Sequence, residues 1–384
     1  MDIFSKIAQE RAISRRNFLR SIASAGAGQT LLSFAPLKAA SLPLSRKVVV
    51  VTFGGGARDE ETFAPEGQAN IPHLIQELIP QATFFTQVVN HGILGHYVAT
   101  ASLATGVYET FDNFASVAPQ NPTVFEYYRK GLGRPAHDAW VIAPSNGFNR
   151  IGQSDGSAIA EGFGAQVILP KHLLTAALGP QASREPGMSL LLQDNYESPL
   201  VTPVLSNSDV QLAHLSETLH LSVDDFVRHA KSLSSADELS VYVMRQIMQQ
   251  YAPSLLWITL HEMDIAHSGA YSLYLDGIRS TDRLCSDIWK AIESNPEYKG
   301  RTTMLILPDF GRDSDFSPSG NGFQHHRTGD PLSRTTWMMA LGPHIRQGVT
   351  VDRPLDSLDL VPTLGGLMGF STLRARGTPI TEVL

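Results

Sequence analysis

The sequence predicts an α/β protein, a mostly parallel sheet sandwiched by helices. Three observations predict it. Short apolar runs without alternation recur along the chain, at 47–53, 83–89, 255–260 and 303–307. Such runs read as strands buried on both faces. Helical periodicity fills the intervals between several of them, and strand–helix alternation is the sequence form of a parallel sheet. Acids and histidines then cluster just past the ends of the later runs, where open α/β sheets bind ligands.

The first strand is Lys47-Val48-Val49-Val50-Val51-Thr52-Phe53, closed by Gly54-Gly55-Gly56. That loop reads equally as a plain tight turn or as a place for backbone to approach a ligand. Residues 70–78 read as a helix with Pro72 near its start, and Thr83 to Val89 as a second strand. Gly95 to Gly106 reads as a small-residue helix carrying Thr100, Ser102 and Thr105. The middle, about 110–250, is less regular and carries Gly/Pro/Asn/Ser clusters. It reads as an insertion over the strand ends, with a long helical stretch near 221–251. Regularity returns at Leu255–Leu260. Tyr271 to Ser294 has Leu275, Ile278, Cys285, Ile288, Trp289 and Ile292 mostly three or four apart, an amphipathic helix with Cys285 as a core thiol. Strands at 303–307 and 335–341 and a short helix in Leu355–Leu364 complete the chain. Residues 41–384 therefore read as a single domain.

The chain of 384 residues is 42% hydrophobic and 17% charged, with a formal charge of −7. Residues 1–40 hold six Lys/Arg and two Asp/Glu, net +4, so the remainder carries −11. No basic patch stands out, which argues against a nucleic-acid partner. One cysteine excludes an intrachain disulfide. Beyond the N-terminal segment, no apolar run reaches the ~18 residues of a membrane span. In that segment, Ser14-Arg15-Arg16-Asn17-Phe18-Leu19-Arg20 matches the twin-arginine export pattern, followed by a modest Ala/Gly/Ser-rich stretch. Residues 1–40 are thus expected to be a signal peptide read by the twin-arginine machinery, and the protein to be periplasmic or otherwise exported.

The chemistry sits in three segments: His261-Glu262-Met263-Asp264-Ile265-Ala266-His267, Asp309-Phe310-Gly311-Arg312, and His325-His326. Carboxylate oxygen and imidazole nitrogen are the donors that zinc and harder divalent ions take. Asp264, His267 and one or both of His325 and His326 are the expected ligands of a divalent metal, whether zinc, calcium or manganese, with Asp309 either a further ligand or an acid that orients His267. The competing reading is a polar rim without metal.

The order of these parts resembles the alkaline phosphatase/sulfatase superfamily, over about 47–110 and 254–384. Asp264 with His267 resembles its acid-then-histidine motif, Asp309-Phe310-Gly311-Arg312 its Asp-His-Gly motif, and His325-His326 its last metal histidine. Residues 358–364, through Gly369 and Gly377-Thr378-Pro379, are similar to its C-terminal tail. The resemblance implies an alkaline-phosphatase-like fold and a metal-dependent hydrolase of phosphate or sulfate esters. The departures are equally specific. Phe53-Gly54 stands where that family has its first metal Asp, and His96 where it has a Thr or Ser nucleophile. Phe310 replaces a histidine, and Asp264 and His267 are three apart rather than four. The chain resembles more closely the exported DUF1501-like branch, which shares the Gly-Gly-Gly start, Asp59 with Thr62-Phe63, a His at the nucleophile position and the acid-Phe-Gly-Arg motif. By its own chemistry His96 is expected as a ligand or general base, Arg312 as a bidentate clamp on a small anionic ester or a surface salt bridge, and Thr100 or Ser102 as packing residues ahead of a hydroxyl role. The alternative is a non-catalytic periplasmic binding or structural protein with a degenerate metal site.

Overall fold

The structure, a computed structural model, describes residues 47–115, 117–144, 148–155, 162–179, 188–192, 212–316 and 320–384. The expected signal peptide lies outside the described residues.

Eight strands form one sheet: β1 (Lys47–Phe53), β2 (Thr83–Val89), β3 (Ala139–Ile142), β4 (Gln166–Ile168), β5 (Leu255–Leu260), β6 (Thr302–Leu307), β7 (Thr335–Leu341) and β8 (Val349–Asp356). Their order is β4-β3-β5-β1-β6-β7-β2-β8. β1 lies at the centre, pairing in parallel with β5 and with β6. Every residue of β1 is buried, as expected where helices cover both faces. Its side chains alternate between two cores: Val49, Val51 and Phe53 enter one, Val48 and Val50 the other.

The principal helices are α1 (His96–Thr105), α2 (Val124–Leu132), α3 (Pro170–Leu178), α4 (Val223–Ala230), α5 (Ala236–Tyr251), α6 (Tyr271–Ser294) and α7 (Leu360–Met368). The first core takes residues of α5 and α6, and the second takes residues of α1, α2 and α7. Local chemistry sets several helix ends. A capping box joins Thr123 and Glu126 at the start of α2. Gly106, in the left-handed region, ends α1. Cys285 lies buried on the apolar face of α6.

Three elements differ from the sequence reading. β7, expected in a parallel sheet, runs antiparallel to both β6 and β2. The reason is topological: residues 309–334 leave the end of β6 and return without crossing the sheet, so the next strand must run back. Residues 70–78, read as one helix, are helical from Pro72 to Leu78, but Leu74–Leu78 wind wider than an α-helix and Asn70 closes a separate 3-10 turn, Gln68–Asn70. The region read as an irregular insertion supplies two sheet strands, β3 and β4, and the expected stretch near 221–251 divides into α4 and α5. β8, with Pro354 and three charged residues, gave no strand signal. It is a mostly exposed edge strand, where such residues are tolerated.

Candidate metal centre

All strands but β7 run the same way, and the chemical residues collect at one edge of the sheet. The Gly54–Gly56 loop follows β1, His261 follows β5, Asp309 follows β6, and the chain from β2 leads through Asn90 into α1. Because β7 is antiparallel, it starts at this same edge, so the segment 309–334 begins and ends there.

The turn after β5 decides the geometry. Glu262–Ser268 winds as a 3-10 helix, in which residues three apart eclipse. Met263 and Ala266 therefore share a face, and both are fully buried. Asp264 and His267 share another. A spacing of three thus sets the acid and the histidine directly above one another on the turn. The oxygen Oδ1 of Asp264 lies 3.1 Å from Nε2 of His267.

His326 completes the group. Its Nδ1 lies 2.8 Å from the Leu94 carbonyl, which can only accept, so the proton sits on Nδ1 and leaves the Nε2 lone pair exposed to the group. That Nε2 lies 2.8 Å from Nε2 of His267. Burial, then the charges of His96 and Arg312, push the His326 pKa down to about 2 and keep the ring neutral. Asp264, His267, His326 and His96 each offer one atom, all within 4.8 Å of one another. His267 is the exposed member, its side chain 40% accessible, so the group opens to solvent on that side.

His96 plays a different part from the other three. Its ring bridges two acids, with Nδ1 2.5 Å from Oδ2 of Asp309 and Nε2 2.9 Å from Oδ1 of Asp264. Burial opposes charge on the ring, but Asp309 and Asp264 outweigh it and raise its pKa to about 9. Phe310 stacks on the ring at 4.5 Å and His261 meets it edge-on at 4.6 Å. Burial also disfavours charge on Asp264, yet the charge of His96 and the hydrogen bond from His267 hold its pKa well below the usual range.

Several expected roles change in this arrangement. Asp309, expected as a ligand, lies outside the group: Oδ2 meets His96, and Oδ1 accepts the Phe310 N–H at 3.1 Å. His325 also lies outside it; burial and Arg327 lower its pKa. Arg312, expected to meet an anion, is fully buried. It donates to the Gly56 carbonyl at 3.0 Å, the Phe323 carbonyl at 3.1 Å and Asp264 at 3.0 Å. Thr100 and Ser102 donate to the carbonyls of His96 and Val98 within α1 and point no hydroxyl at the group. The glycine loop serves backbone packing. A Cβ on Gly55, at φ +94°, would stand 2.8 Å from the Asp264 nitrogen, and one on Gly56, at φ +70°, 2.8 Å from the Gly311 carbonyl.

Two partners of the site carried no sequence signal. Asn113 Oδ1 accepts the N–H groups of Tyr97 and Val98 at 3.0 and 3.3 Å, so it caps α1 from a distant loop. Asp237, near the start of α5, accepts N–H groups of the turn that carries Asp264. Both contacts join residues far apart in the chain, and no local pattern records them.

The donor set, two imidazole nitrogens and one carboxylate oxygen open to solvent on one side, is one that can hold a metal ion. No protein-family model matches the sequence, and no curated protein matches it. Solved structures of similar fold are found. The phosphonate monoester hydrolase of Agrobacterium radiobacter has a TM-score of 0.53 at 12% identity, over 85% of this chain and 74% of that one. The wild-type alkaline phosphatase PafA gives 0.52 at 10% identity, over 89% and 99%. A protein in the alkaline phosphatase superfamily from Vibrio parahaemolyticus gives 0.51 at 12%, over 97% and 78%. At these identities the likeness is one of fold, and the architecture is an alkaline-phosphatase-like α/β sheet with flanking helices.

Proposed function

We propose that the protein is an exported, metal-dependent hydrolase of phosphate or sulfate esters, akin to the DUF1501-like branch. The observation that carries this reading is the convergence of Asp264, His267 and His326 at the sheet edge. Two nitrogens and one oxygen suit zinc better than calcium, which takes six to eight oxygens. Lewis-acid polarisation of an ester oxygen is what a bound ion would supply there. The chain's own residues fix the rest. Asp309 and Asp264 hold His96 between them, Arg312 anchors Asp264, and the Leu94 carbonyl selects the His326 tautomer. With Thr100 and Ser102 turned into α1, water is the nucleophile this site leaves room for.

Two observations favour a second reading, a periplasmic binding or structural protein on the same fold. Arg312 is spent on the protein's own groups, and Asn113 covers the first N–H groups of α1, a common anion cradle. Neither feature is then left to hold an ester anion. Equilibrium dialysis against zinc, followed by assay with aryl phosphate and aryl sulfate esters, separates the readings. Stoichiometric metal with turnover supports the hydrolase. Metal without turnover on either ester class supports the binding protein, and no metal overturns the hydrolase.

A further inference from the structure

We infer that Asp237 is the positioning residue of the metal centre, holding the ligand-bearing turn in register from outside the ligand group. This rests on the metal reading above. Asp237 is fully buried near the start of the sixteen-residue α5. Its Oδ2 accepts the His261 N–H at 2.8 Å and the Glu262 N–H at 2.9 Å, and its Oδ1 lies 3.0 Å from the same His261 nitrogen. In return, Glu262 accepts the Asp237 N–H at 3.3 Å. These contacts fall at the junction where β5 ends and the 3-10 turn begins.

The first N–H groups of a helical turn have no partner within it. Here one carboxylate from another helix fixes two successive N–H groups at that junction. It thereby sets the direction in which the turn leaves the strand. The turn has three residues per revolution, so a rotation at its start carries through to Asp264 and His267 together. Groups that hydrogen-bond a metal ligand directly typically change metal affinity 10–100-fold when removed, and Asp237 acts one step further out, through the backbone that carries the ligands. Asp237 is not a member of the ion-site group; with Glu262 and Ile265, it lines a cavity of about 300 Å³. That cavity also contains Asp276, which makes no contact with the 261–262 junction among the described hydrogen bonds.

The test measures zinc affinity of the full chain by competition with a chromophoric chelator, alongside thermal unfolding of the metal-free form. Asp237→Ala and Asp237→Asn should each weaken zinc binding by about 10–100-fold, and Asp276→Asn should leave it unchanged. Asp237→Asn keeps the side-chain volume but sets an amide N–H₂ against a backbone N–H, so it decides the matter if the alanine variant fails to fold. A folded Asp237→Asn protein with wild-type zinc affinity overturns the inference, even if its metal-free form melts lower. Wild-type protein that binds no zinc overturns the metal reading itself.

Discussion

The side chains at the sheet edge divide their labour by which atoms are already committed. Asp264 faces inward to His96 and Arg312 and outward to His267, so its position is dictated from three sides. His325 and His326 are neighbours in sequence, yet one Nδ1 contact to Leu94 selects His326 for the group. His267→Ala should therefore abolish most zinc binding in the dialysis assay, and His325→Ala should leave it intact. Equal losses in both would contradict the assignment of ligands. Arg312 is a buried ion whose partner is also buried, and removing one member of such a pair costs about 3–5 kcal/mol. Arg312→Met should lower unfolding free energy in denaturant by that order. A loss of activity toward anionic esters with unchanged stability would instead restore its expected role as an anion clamp. The sequence marked these residues as a set, because strand ends announce them. It did not sort ligands from supports, because that depends on which nitrogen points where.

At the scale of elements, the legible parts were those with strong periodicity. β1, β2, α1 and α6 match the sequence reading closely, since their signals are local. In residues 70–78 the amides of His73 and Leu74 are bound by Asp282 of α6, at 3.0 and 2.7 Å, a tertiary cap on the start of the helical stretch that no local pattern records. Burial pushes the Asp282 pKa up to about 6, against the pull of those two N–H groups. A folded-state value above the ordinary 3.8 means that folding takes up a proton. Its contribution is full below about pH 4 and is lost as pH rises through about 6. Asp282→Asn should flatten the fall in stability between pH 4 and 6, as read from denaturant midpoints, while the wild type keeps the slope. The 3-10 turn after β5 explains the three-residue spacing that looked like a departure. Inserting one alanine between Ile265 and Ala266 would turn His267 by roughly 120° away from Asp264. Zinc binding should disappear while the circular dichroism of the fold persists. Retained binding would mean that the turn re-forms as an α-helix.

Across the whole molecule, fold class was readable because buried strands and amphipathic helices each carry their own period. Strand order and the direction of β7 were not, since they depend on how the connections run. The expected export signal makes a prediction at this scale. Arg15→Lys with Arg16→Lys should strand the protein in the cytoplasm in fractionation experiments, because the twin-arginine route reads that pair. Undiminished export would contradict it.

The reversed β7 has one more consequence. The segment 309–334 leaves and re-enters the sheet at one edge, and its two stems are stitched together. The Gly311 N–H donates to the Ser333 carbonyl at 2.7 Å, and the Asp313 N–H to the His325 carbonyl at 2.8 Å. The feet of the connection carry Arg312 and His326, so the stitching fixes both beside the Asp264–His267 turn. Doubling the length of a flexible loop costs only about 0.6 kcal/mol of closure entropy. Changes of length between Asp313 and His325 therefore leave the feet, and with them Arg312, His326 and the Asp264–His267 turn, in place. Diversification of this protein, by natural drift or by grafting, is best accommodated there.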